Sequence, residues 1–262
     1  MKRPRKIALC LFAAIVLILA ISARPALAQA HDDHPPHWSY SGPDGPDHWG
    51  EFDPAWKVCK DGKRQSPINI EGAKKSDLPA IQFDYEPSLL KIINNGHTIQ
   101  INFDPGNSIT VGGKQYTLVQ FHFHHPSEEK IRGHQYDMVI HLVHKDSAGN
   151  LAVVALLVKK GKENPTIQTL WNNLPTEVGK EKSVPAVTIN AADLLPADHN
   201  YYSFEGSLTI PACNEGVAWM VFVAPVEFSG PQIETFAKIY PMIARPIQPT
   251  NGREIMESSF KK

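Results

Sequence analysis

From Ser66 onward, apolar and polar residues alternate in short runs separated by turn signals. The runs Ile81–Tyr85, Leu89–Ile93, Thr98–Phe103, Ile109–Val111, Tyr116–His124, Asp137–His144 and Ala152–Val158 each fit a strand, whose successive side chains point to opposite faces. Between them stand Asn94-Asn95-Gly96, Asp104-Pro105-Gly106, Gly112-Gly113 and Ser147-Ala148-Gly149-Asn150, residue types that accept tight-turn backbone. Helical periodicity is weak. Thr166–Asn173 and Gly230–Ile239 each allow a short helix, with Pro165 and Pro231 placed for a first turn. Residues 159–200 are polar and interrupted by proline, which predicts a path across the surface. The pattern predicts a mainly β (α+β) single domain with short peripheral helices.

The alternation also places chemistry. In Gln120-Phe121-His122-Phe123-His124 the two imidazoles share one strand face and the two phenyl rings the other. His141 follows 17 residues after His124, inside a second strand-like run from Val139 to His144. If the two strands pair, three imidazoles converge, and three neutral histidines around an open fourth position can hold a catalytic zinc. Three half-buried strand histidines without a metal are the alternative.

Composition narrows the setting. The chain has 262 residues, 42% hydrophobic and 20% charged, ordinary values for a globular protein. Its first residues differ: Lys2, Arg3, Arg5 and Lys6 precede an apolar run from Ile7 to Ile21, and Ala26-Leu27-Ala28 forms an A-x-A site. This predicts a secretory signal, residues 1–28, cleaved before Gln29. An uncleaved anchor is the alternative, although the run is short for a span of ~20 residues. Cleavage takes five of the 26 basic residues and no acidic ones, leaving 21 against 27 and a formal charge of −6. That balance argues against nucleic acid or anionic lipid as a partner. Cleavage also removes Cys10 and leaves Cys59 and Cys213, an even pair that suggests a disulfide in an exported protein, with two free thiols as the alternative. Residues 29–262 are the expected mature domain. Its first part, 29–50, reads as an extended arm pinned by Trp38, Tyr40 and Trp49, in which His31, His34 and His37 read as a solvated tail, with binding of a stray metal as the alternative.

Further motifs stand in register with the histidines: Gln65-Ser-Pro-Ile-Asn69, Asn94-Asn-Gly-His97, Ser127-Glu128, His141-Leu-Val-His144 and Ser207-Leu-Thr209. In this order the set, with Gln120–His124, resembles the α-class carbonic anhydrases in their exported bacterial form, over nearly the whole mature chain. The resemblance implies a twisted, mostly antiparallel, ten-stranded central sheet. It also implies reversible hydration of carbon dioxide to bicarbonate and a proton by hydroxide on a Zn2+ ion. His122, His124 and His141 match the metal ligands. Thr209 matches the hydroxyl that orients the nucleophile through Glu128, and His97 matches the proton shuttle. Val143, Val153, Leu208, Val217, Trp219 and Ile210 match the wall of the substrate pocket. Tyr40, Asn95 and Gln100 match a solvent network, and Gln120 an outer partner of His122. The implied location is periplasmic or secreted, with no stable membrane anchor after cleavage and with carbon dioxide and bicarbonate as partners; a homodimer stays open. The rival is a non-catalytic or weakly active relative that binds zinc or a partner.

This chain departs from the family's pattern at named places. The family normally carries a glutamate two residues before the third ligand, where this chain has Val139. Valine accepts no hydrogen bond, so His141 must find another partner, and the expectation is weaker zinc retention. Ile210 stands for a usual threonine, whose lost hydroxyl predicts slower proton transfer, and Ala212 stands for a usual proline. Glu129, often histidine, and Ile243, often asparagine, are expected to matter less.

Overall fold

A computed structural model describes residues 36–260. The expected signal, residues 1–28, and His31 and His34 lie outside the described residues. Ten strands run side by side through one large sheet: β1 (Lys74–Lys75), β2 (Ser88–Asn94), β3 (Ile99–Asn102), β4 (Lys114–His124), β5 (Met138–Lys145), β6 (Leu151–Lys160), β7 (Glu181–Ile189), β8 (Tyr201–Ser207), β9 (Glu215–Phe222) and β10 (Met256–Glu257). Across the sheet their order is β7-β2-β3-β4-β5-β6-β9-β8-β10-β1. Three short strands, Gln82–Asp84, Ser108–Val111 and Val226–Phe228, join off this path. Along the path, neighbours are antiparallel except β6 with β9 and β10 with β1, which are parallel. The sheet is therefore mixed, with antiparallel pairing dominant, as expected.

The runs named by alternation end at Val158, and four strands of the path lie beyond it. Residues 159–200 are not a bare surface path. They hold the helix Pro165–Trp171 and the edge strand β7, which pairs with β2. Most of β7 is exposed and Pro185 breaks its register, so it has no apolar face to announce it. The helices Pro165–Trp171 and Gly230–Ile239 start on side-chain caps, Asn164 accepting from the Ile167 N–H and Ser229 forming a capping box with Gln232.

Strand β6 explains where the core sits. Its run Leu151-Ala-Val-Val-Ala-Leu-Leu-Val158 is apolar on both faces, the mark of a strand covered from both sides. Ala152, Val154, Leu156 and Val158 join a core with Phe121, Phe123, Ile140 and Leu142. Val153, Ala155 and Leu157 join a second core with Val139, Val217 and Trp219. A third cluster sets Trp49 and Trp56 around the disulfide Cys59–Cys213, whose Cα atoms are 5.0 Å apart.

Candidate metal centre

Strands β4 and β5 pair antiparallel with His141 opposite His122, Val139 opposite His124 and Val143 opposite Gln120. The alternation that sends Phe121 and Phe123 into the first core turns His122 and His124 to the other face, and the register brings His141 between them. One ring nitrogen from each histidine lies within 4.8 Å of the others. The rings are 4.7 to 5.4 Å apart, centre to centre. His124 and His141 are buried and His122 is half-buried.

The outward ring nitrogens are all engaged. Nδ1 of His122 lies 2.8 Å from Gln120 Oε1, and Nδ1 of His124 lies 2.7 Å from the Ile243 carbonyl oxygen. Nε2 of His141 lies 3.2 Å from Glu129 Oε2. Glu129, expected to matter less, is thus the side chain beside the ring nitrogen that Val139 cannot serve. Inward, Nε2 of His124 is buried without a hydrogen-bond partner, the state of a donor set built for a ligand. Burial pushes His122 down to about 3 and His124 well below its usual range, with neighbouring histidine charge adding to both. Neutral imidazole is the ligating form. For His141 burial acts downward, but the charge and hydrogen bond of Glu129, with Glu128, overcome it and raise the pKa.

Glu128 sits under the cluster. Its Oε1 accepts the Arg245 backbone N–H at 2.8 Å, and Oε2 lies 3.5 Å from His124 Nε2. Burial pushes its carboxyl up to about 8; His141 counters that, Glu129 adds to it, and the Thr209 side chain favours the charged form. Oε2 of Glu128 has no hydrogen-bond partner. Thr209 is 5% exposed and lies in the loop between β8 and β9. Beside it Val153, Val217 and Trp219 are buried, with Val143 and Leu208 packed against them. Trp219 meets His141 edge-on at 4.9 Å. Ile210, in the same loop, is 36% exposed.

On the other side, His97 sits in a turn whose backbone is tied by Asn95: its Oδ1 accepts from the N–H of His97 and of Thr98, each at 2.9 Å. Gly96 holds φ +89°, which favours glycine there. Gln100, opposite His122 in the sheet, accepts from Asn95 Nδ2 at 3.3 Å. Trp38 stacks on the half-buried His97 ring at 3.7 Å. Burial lowers the His97 pKa, and His37 lowers it further. Tyr40 stands edge-on to His124 at 6.4 Å; burial and then the Glu128 charge raise its hydroxyl pKa.

Comparison with known proteins decides the family. The model of the eukaryotic-type carbonic anhydrases matches residues 44–259. The chain belongs to the α-carbonic anhydrase family. A carbonic anhydrase of Neisseria gonorrhoeae is 42% identical over 92% of this chain and 95% of its own. Among solved structures, a hyperthermostable carbonic anhydrase from a hydrothermal vent chimney is 46% identical with a TM-score of 0.83, over 85% of this chain and all of its own. The α-carbonic anhydrase of Thermovibrio ammonificans, solved with the inhibitor sulfanilamide, is 42% identical with a TM-score of 0.81, over 84% of this chain and 98% of its own. As a carbonic anhydrase this chain is a lyase. Two residues beside the cluster have roles that the sequence does not announce. Trp38, expected only to pin the arm, also covers His97. Arg245 is buried in an irregular stretch, where no spacing marks it. Its guanidinium donates to Gln65 Oε1 and the carbonyls of Ser66 and Cys59.

Proposed function

We propose that the chain interconverts carbon dioxide and bicarbonate at a zinc ion held by His122, His124 and His141. The observation that carries this reading is the three-imidazole cluster with its outward nitrogens engaged and its inward ones converging beside Glu128 and Thr209. An all-nitrogen set of imidazole donors suits zinc. Zinc bound there would act as a Lewis acid that brings the pKa of water near 7, a magnitude established for carbonic anhydrases themselves.

The chain's own residues do the rest. Thr209 donates its hydroxyl proton toward Glu128, leaving its oxygen to accept from the attacking water and so fix that water's direction. Val143, Val153, Leu208, Val217 and Trp219 offer an apolar wall to an apolar substrate. Water adds to the carbon of carbon dioxide, and the proton released leaves for buffer through His97, along solvent held by Tyr40, Asn95 and Gln100. The paired cysteines and the N-terminal signal pattern support work in the periplasm or outside the cell. Among the described residues no helix is long and apolar enough to cross a membrane. Stopped-flow hydration of carbon dioxide tests the roles. Thr209→Ala should keep its zinc and lose about 100-fold in kcat/KM, the order expected for a misdirected reactant. Unchanged kcat/KM would remove Thr209 from the mechanism.

A further inference from the structure

Among the described residues, the surface clefts outside the cluster are open and lined by polar and apolar side chains alike. The strongest unexplained feature is a buried carboxylate. Glu129 is fully buried, yet one of its oxygens, Oε1, has no hydrogen-bond partner. Its other oxygen lies 3.2 Å from Nε2 of His141. Burying a carboxylate with one unmatched oxygen is costly unless the remaining contact has a use.

We propose that Glu129 is the positioning residue of His141, holding that ring from a loop where Val139 leaves the strand without an acceptor. The inference rests on the zinc reading above. Geometry supports it from three sides. Val139 and His141 share a face of β5, but Val139 is fully buried against Ile68, Val153 and Leu157 and offers His141 only methyl groups. Glu129 reaches the same ring from across the site, and its backbone is fixed there: its carbonyl accepts from Ser127 Oγ at 2.8 Å, and Ser127 Oγ accepts from the Tyr136 N–H at 2.9 Å. Its neighbour Glu128 approaches the opposite nitrogen, with Oε2 at 3.9 Å from His141 Nδ1. One dipeptide thus borders both edges of one imidazole. Glu129 fixes which nitrogen carries the proton and leaves Nδ1 as the donor to metal.

The test is zinc release from the holoenzyme into excess chelator, measured for wild type, Glu129→Gln, Glu129→Ala, Val139→Glu and the double variant Glu129→Ala/Val139→Glu. Glu129→Ala should release zinc roughly 10–100-fold faster than wild type, the range for a lost outer partner, with Glu129→Gln between them. The double variant should recover most of that loss, because the carboxylate returns on the strand; a role in packing alone would not be rescued from another position. Val139→Glu alone should not slow release, since it adds a third buried carboxylate around a ring already served. If Glu129→Ala and Glu129→Gln both release zinc at the wild-type rate, the proposal is overturned and the zinc reading stands. If wild type takes up no zinc, the zinc reading fails and this proposal falls with it.

Discussion

At the scale of single residues, the site separates charge from neutrality by burial. His122 and His124 are kept neutral, while Glu128 and Glu129 share a pocket with His141 between them. His97 lies at the wet edge under Trp38, and its pKa is lowered first by burial and then by His37. In the proposed shuttle role, an imidazole with a lowered pKa stays neutral, and able to take a proton, to lower pH. Two outcomes follow. His97→Ala should lose roughly 100-fold or more in turnover and regain part of it in imidazole buffer. His37→Ala removes a side chain that helps hold the His97 pKa down, so that pKa should rise and the acid limb of turnover against pH should move upward. A limb that stays put or moves down would separate His37 from the shuttle. Residue placement was legible where spacing carried it, as in His122-x-His124. Glu129 was not legible, because its reach to His141 spans a loop and two strands, and only the fold brings them together.

At the scale of elements, the antiparallel pair β4·β5 builds the cluster, and a slip of one residue would turn His141 to the wrong face. The same strand carries His144 into the first core's side, where its Nε2 lies 2.6 Å from the Tyr85 hydroxyl. Burial lowers His144 to about 4. A depressed histidine binds its proton less readily folded than unfolded, so its stability contribution is full above pH 6.5 and lost as pH falls toward 4. In chelator-treated protein, urea unfolding should show the advantage of wild type over His144→Gln shrinking by about 3 kcal/mol between pH 6.5 and 4. A constant difference would contradict that assignment. Alternation along the two strands makes these faces legible in the amino-acid sequence. It could not give the parallel pairing of β6 with β9, whose partners lie far apart in sequence, nor β7, whose exposed edge has no periodic signal.

At the scale of the whole molecule, the disulfide joins the turn at Val58–Asp61 to the loop that carries Thr209. It closes a sequence separation of 154 residues, for which chain entropy gives at most about 5 kcal/mol. The double variant Cys59→Ser/Cys213→Ser should unfold at lower denaturant, and its activity should fall with its stability because Cys213 anchors the Thr209 loop. Equal midpoints with and without reductant would deny the bridge that role. Alternation made a sheet protein legible and the cysteine pair its disulfide; the tie between bridge and site depended on where the chain returns. Above all, this fold brings three imidazoles together into a candidate metal site. The decisive experiment is stopped-flow hydration of carbon dioxide before chelation, after chelation and after adding zinc back. Activity should be lost with the metal and restored by one zinc per chain; hydration that persists in the fully metal-free protein would contradict the metal's role.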